Sequence, residues 1–93
     1  MLKIEFQGQF QKDYKAMLKQ GHSQERLAEV IQLLAAGQPL PPRCRDHLLT
    51  TSKQYKDVRE CHITPDWLLI YQVLQERLTL RLIRAGSHSD LFQ

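Results

Sequence analysis

Residues 59–71 constrain the fold most, because a half-polar strand pattern, a turn and a strand that is apolar on both faces follow one another without a gap. Side chains alternate between the faces of a strand, so Glu60 and His62 are predicted to share one face. Proline and aspartate favour turns, and a turn at 64–66 would bring Asp66 close to His62. Imidazole titrates near neutrality, so a histidine beside a carboxylate is a candidate acid/base pair.

The rest of the chain predicts a small α+β fold with the element order βααβββ. Alternation over 2–6 predicts a first strand, at an edge or paired with a distant strand. Apolar residues at helical spacing predict a helix from about Gly8 to Gln20 and a second one that Ser23 caps and Gly37 ends. Further strands are predicted at 55–63, 67–74 and 78–82, before a glycine turn at 84–88. We therefore expect an antiparallel sheet, backed on one face by an N-terminal helical hairpin and open on the other.

Length and composition indicate one domain over residues 1–93 and exclude several classes of function. The net charge of +3 is modest, and by itself it does not indicate nucleic-acid binding. Cys44 and Cys61 form no CxxC motif and no signal-like segment begins the chain, which predicts a cytoplasmic protein with free thiols. No apolar run approaches the length of a membrane span, so no membrane role is expected.

Polar side chains of the predicted strands should line the open face of the sheet, among them Glu60, His62 and Arg81. An open sheet that presents arginine, lysine and histidine suits a single-stranded phosphodiester substrate. The opposite side of the same strand should carry Arg59, expected to pair with a carboxylate, and Cys61, expected as a small buried residue.

Three blocks of sequence resemble the RelE-type toxins of bacterial toxin–antitoxin pairs, specifically the YafQ branch of ribosome-dependent mRNA endonucleases. The blocks are Asp46-His47, the stretch 59–71, and the tail 84–92. The resemblance covers nearly the whole chain and implies the RelE-like fold, in agreement with the predicted element order. The chain departs from its relatives at Leu48, where they commonly carry proline, and in the loop before the strand, where they carry glycine.

The resemblance also implies a set of site residues. The acid/base histidines fall on His47 and His62, the turn carboxylate on Asp66, the C-terminal histidine on His88, and the terminal aromatic on Phe92. Glu60 takes the acidic position two residues before the strand histidine.

Metal-free RNA cleavage needs a base for the 2′-hydroxyl, positive charge on the phosphoryl oxygens and an acid for the departing 5′-oxygen. His47 and His62 can divide the base and acid roles in either order. His88 is a third proton carrier or a phosphate donor, and Asp66 orients a histidine or favours its charged form. Phe92 can stack on a base. The candidate phosphate-binding cations are Lys56, Arg81 and Arg84.

No cofactor is expected, and a zinc site is disfavoured because the histidines and Cys61 lack the short paired spacings of zinc ligands. The implied partners are a cognate antitoxin that wraps the sheet and helices, the translating ribosome and its mRNA, and operator DNA only through the antitoxin complex. The alternative is a non-catalytic toxin of the same fold that binds a protein such as a topoisomerase. A corepressor role with the antitoxin on DNA is compatible with the endoribonuclease hypothesis, as a second role of the complex.

Overall fold

The computed structural model describes residues 1–50 and 57–92. Five strands and three α-helices form the fold, with short 3-10 turns at Pro42–Cys44 and Gln75–Arg77. The strands are β1 (Lys3–Phe6), β2 (His47–Leu48), β3 (Arg59–Thr64), β4 (Trp67–Leu74) and β5 (Thr79–Gly86). The helices are α1 (Gly8–Lys19), α2 (Gln24–Ala35) and α3 (His88–Leu91). No helix in these described ranges is long and apolar enough to cross a membrane.

The strands form one sheet in the order β1-β5-β4-β3-β2, which places β4 at its centre. The prediction that β1 lies at an edge and pairs with a distant strand is confirmed, since its neighbour is the last strand of the sheet. The prediction of a wholly antiparallel sheet is wrong at this edge, because β1 and β5 run parallel. Most of the chain lies between these two strands, so no hairpin turn imposes opposite directions on them.

The C-terminal part of the sheet also differs from the prediction. β5 continues to Gly86 instead of ending at residue 82, and its last residues pair with Leu68, Leu69 and Ile70 of β4. Where the sequence predicts a glycine turn at 84–88, the structure therefore has the end of β5 followed by α3. The backbone groups at the apolar start of β4 need hydrogen-bonding partners, and the last residues of β5 supply them. The two-residue strand β2 was not predicted, and β3 begins at Arg59. Residues 55 and 56 of the predicted strand lie outside the described part.

Apolar side chains are buried on both faces of β4. Trp67, Leu69 and Tyr71 belong to the larger cluster, which also holds the buried faces of α1 and α2. Leu68 and Ile70 belong to a second cluster on the opposite face. That second cluster also contains Leu49, Val58 and Leu91, with Ile83 and Phe92 packed against it. The expectation of a fully open second face is wrong, since α3 and the segments flanking 51–56 cover part of it.

The ion pair between Asp13 of α1 and Arg84 of β5 joins helix and sheet. Asp13 accepts from Arg84 Nε at 2.8 Å, from its Nη2 at 3.2 Å and from the backbone N–H of Ala85 at 3.0 Å. The two side chains are only 19% and 11% exposed, whereas those of the Arg43–Glu29 pair are 59% and 58% exposed. Desolvated pairs are costly to break on one side, whereas exposed pairs contribute little.

Asp13→Ala is therefore expected to lower the free energy of unfolding by about 3 kcal/mol, because the Arg84 guanidinium and the Ala85 N–H lose their buried acceptor. Glu29→Ala, which removes the exposed pair, is expected to cost less than about 1 kcal/mol. Urea unfolding of both variants checks this difference. Equal losses would show that the Asp13 pair contributes no more than a surface contact.

Candidate functional site

A cavity of about 300 Å³ opens beside the β3–β4 turn and the start of α3. Its volume is at the lower end of the range for small-molecule pockets. The residues that line it are Glu60, His62, Pro65, Asp66, Leu68, Ser87, His88 and Ser89. Three separate parts of the chain thus supply two histidines and two carboxylates to one cavity.

Strand alternation explains why Glu60 and His62 face the cavity. Arg59, Cys61 and Ile63 of the same strand point to the helix side, where Cys61 and Ile63 are buried in the larger cluster. Burial raises the pKa of the Cys61 thiol, with Asp46 adding to the shift, so this thiol stays protonated as the predicted small buried side chain. Cys44 is also free.

His47 reaches the same site through Glu60. β2 pairs with β3 so that His47 lies opposite Glu60, and His47 Nε2 is 3.5 Å from Glu60 Oε1. The other ring nitrogen, Nδ1, lies 2.6 Å from the carbonyl oxygen of Arg45. Because a carbonyl oxygen can only accept, Nδ1 carries a hydrogen and donates it, which leaves Nε2 as the nitrogen that can gain or lose a proton.

His88 is placed by the cap of α3. Ser87 Oγ accepts from the backbone N–H of Asp90 at 3.2 Å, and Asp90 Oδ2 accepts from the backbone N–H of Ser87 at 3.2 Å. This reciprocal capping box begins the helix immediately before His88. The rings of His88 and Phe92 lie 4.9 Å apart, centroid to centroid, at an angle of 42°.

Asp66 lines the cavity together with His62, as the turn at 64–66 predicted. No hydrogen bond joins its carboxylate to His62 or to another residue within the described ranges. That Asp66 orients a histidine therefore remains a prediction.

The structure does not bring Arg81 or Arg84, two of the predicted phosphate-binding cations, to this cavity. Arg84 pairs with Asp13 on the helix side, and Arg81 Nε donates to Glu5 Oε1 at 2.7 Å, near the β1 edge. Lys56 lies outside the described residues. Both carboxylates, Glu5 and Asp13, belong to N-terminal elements that lie far from the arginines in sequence. No local sequence pattern predicts such pairs.

The sequence analysis named Asp46 only as part of the Asp46-His47 block and gave it no role, whereas the structure places its side chain on the helix side of the sheet. Its Oδ1 accepts from Arg59 Nε at 3.2 Å and from the Tyr71 hydroxyl. The expectation that Arg59 pairs with a carboxylate is thus confirmed. The position of Asp46 next to a candidate histidine was the available signal.

His62 of β3 and His88 of α3 therefore line the same cavity as the buried carboxylate Glu60, which is 7% exposed and which His47 of β2 contacts. Imidazoles beside a cavity can accept and donate protons near neutral pH, which is the requirement of acid/base catalysis. In the part of the chain that the structure describes, no group of three or more His, Cys, Asp or Glu side chains is arranged to hold a metal ion.

Comparisons with known proteins converge on one family. Residues 2–93 match the family described as the YafQ bacterial toxin of type II toxin–antitoxin systems. An Escherichia coli B/BL21-DE3 protein named mRNA interferase toxin YafQ is 41% identical over 90 residues, which cover 96% of this chain and 94% of the relative.

Solved structures agree at the level of the fold. A metal-bound toxin from Helicobacter pylori superposes with a TM-score of 0.92 at 47% identity, covering 99% of this chain and all of that one. The E. coli DinJ–YafQ complex contains a chain with a TM-score of 0.87 at 37% identity, which covers 100% of both chains. The RelE-like α+β fold predicted from the sequence is confirmed.

Ser87→Ala is expected to move the His88 ring away from Phe92, because it removes the cap that begins α3. Loss of a serine cap costs about 1 kcal/mol. Ser23→Ala is the matched control, since Ser23 Oγ caps α2 by accepting from the Arg26 N–H at 3.3 Å. NMR signals of the His88 ring should shift in Ser87→Ala and stay unchanged in Ser23→Ala. Unchanged signals in both variants would show that the capping box does not place His88.

Proposed function

The chain belongs to the YafQ family of bacterial toxins of type II toxin–antitoxin systems, and we propose that it is an mRNA interferase, an endoribonuclease that cuts mRNA on the ribosome. The observation that supports this function is the convergence of three histidines on Glu60 and its cavity. His62 and His88 line the cavity, and His47 contacts Glu60 from the neighbouring strand. A surface that only binds a protein target does not require such a set.

The proposed reaction uses the 2′-hydroxyl of the RNA as its nucleophile. A neutral imidazole takes the hydroxyl proton as the 2′-oxygen attacks phosphorus. The bond from phosphorus to the 5′-oxygen breaks, and an imidazolium gives that oxygen a proton. The products are a 2′,3′-cyclic phosphate, open to later hydrolysis to a 3′ phosphate, and a 5′-hydroxyl end. Each proton transfer contributes a factor of about 10²–10⁴ in rate.

His47 and His62 are the proposed base and acid, and His88 is a third proton carrier or a donor to the phosphate. Glu60 lies between the two strand histidines, since it contacts His47 of β2 and precedes His62 by two residues on the same face of β3. Asp66 is proposed to orient His62 or to favour its charged form when RNA is bound. Phe92, whose ring lies beside that of His88, is proposed to stack on a base of the RNA.

The proposed partners follow from the same family. Relatives have been solved as DinJ–YafQ complexes, and we assign this chain a cognate antitoxin that silences it and through which it associates with operator DNA. The ribosome presents the mRNA and supplies part of the orientation that a small cavity alone does not. A cytoplasmic location follows from that substrate.

His62→Ala is expected to abolish growth arrest, because the site loses one member of its proposed acid/base pair, while folding and antitoxin binding persist. His22→Ala is the matched control, since His22 stacks on Trp67 with ring centroids 4.8 Å apart and does not line the cavity. Mapping RNA 5′ ends after brief induction should show codon-registered cuts with wild type and His22→Ala only. A fully toxic His62→Ala protein would instead favour a non-catalytic toxin that binds a protein target.

Cleavage is expected to be independent of transition metals, because histidines carry both proton transfers. Single-turnover cleavage on programmed ribosomes, with Mg²⁺ retained, should proceed at the same rate with and without phenanthroline. Loss of cleavage on chelation, restored by added zinc or copper, would assign a metal to the site.

A further inference from the structure

Asp46, Arg59 and Tyr71 form a side-chain cluster on the helix side of the sheet, next to His47, that the proposed chemistry does not use. Asp46 accepts hydrogen bonds from the Tyr71 hydroxyl of β4 and from Arg59 Nε of β3. These two partners place the Asp46 side chain on the helix side of the sheet, whereas His47, the first residue of β2, faces Glu60. The carboxylate thus ties the chain immediately before His47 to two strands of the sheet.

The two donors are held in their protonated forms. Tyr71 is 1% exposed, and burial, with Asp46 as a second cause, raises the pKa of its hydroxyl. The hydrogen bond to Asp46 is the main cause that raises the pKa of Arg59. A buried hydroxyl without an acceptor is unfavourable, so Tyr71 favours conformations in which Asp46 stays in place.

The strand that follows Asp46 is short, although Cys44 before it and Leu49 after it are buried in the core. β2 is only two residues long and pairs with β3 at His47–Glu60 and Leu48–Arg59. Arg45, on the other side of Asp46, has a φ of 48°, a left-handed conformation that is unfavourable for residues other than glycine. The carbonyl oxygen of this strained residue accepts from His47 Nδ1, so the orientation of the imidazole depends on Arg45 staying in that conformation.

We infer that Asp46 is a positioning residue, anchored by Tyr71 and Arg59, that holds β2 on the sheet and so keeps His47 Nε2 directed at Glu60. This inference rests on the proposed function in one respect, namely that His47 carries a proton during RNA cleavage. Its structural part, the orientation of the ring, does not depend on any activity.

A double-mutant cycle separates positioning from a general loss of stability. Single-turnover cleavage on saturating programmed ribosomes would be measured for wild type, Asp46→Ala, His47→Ala and the double variant. Asp46→Ala is expected to slow cleavage about 10-fold or more in the wild-type background and less than about 2-fold when His47 is absent. Asp46→Asn should recover most of the rate, because its amide oxygen still accepts from Tyr71.

The control for stability is Val30→Ala on α2, a buried core residue that takes no part in the Asp46 hydrogen bonds or the cavity lining. It should lower the melting temperature as Asp46→Ala does, yet change cleavage by less than about 2-fold in both backgrounds. A fall in rate on Asp46→Ala that is the same with and without His47, or a similar fall for Val30→Ala, would overturn the inference.

Histidine ring signals in NMR spectra give a readout that survives failure of the proposed function. Asp46→Ala should shift or broaden the His47 ring signals and leave those of His22 unchanged, and Asp46→Asn should restore them. If wild-type protein cuts no RNA, the proposed function fails and the His47 signals alone decide the inference. Unchanged His47 signals in Asp46→Ala would overturn it whatever the activity.

Discussion

Burial of β4 on both faces is the constraint on which the rest of the structure depends. Its residues Trp67 to Tyr71 are all 2% exposed or less, and burial of such side chains contributes about 1.5–3 kcal/mol each. A strand of this kind must lie at the centre of a sheet with a layer on each side. The first layer is the α1–α2 hairpin, and the second is the smaller group of residues around Leu91.

The second layer also determines where a cavity can form. It covers only part of the sheet, and Leu68 belongs both to this layer and to the cavity wall. Leu91, which packs in the layer, lies on the same short helix as His88. Apolar packing therefore holds the C-terminal histidine beside β3, and the uncovered remainder of the face becomes the site.

Local patterns in the sequence predicted most of the fold. Alternation identified β1 and β3, helical spacing and Ser23 identified α1 and α2, and the double-sided apolar run identified β4. The parallel pairing of β1 with β5, the two residues of β2 and the extension of β5 to Gly86 depend on contacts between distant segments, which no local pattern records. The same distinction holds at the site. The turn that places Asp66 beside His62 is local, whereas the contact of His47 with Glu60 depends on strand register.

The ion pairs show where the two arginines predicted to bind phosphate lie in the fold. Arginine suits phosphate, but Arg59, Arg81 and Arg84 each pair with a carboxylate, and none of the described residues that line the cavity is Lys or Arg. Moving one of these guanidinium groups to RNA would leave its carboxylate without that partner, an unfavourable exchange where the pair is desolvated, as at Asp13. In the proposed reaction, protonated imidazole brings positive charge to the phosphate. Within the described residues, the arginines stabilise the fold while the cavity offers imidazoles and carboxylates to a substrate, so proton transfer is the chemistry for which its side chains are suited.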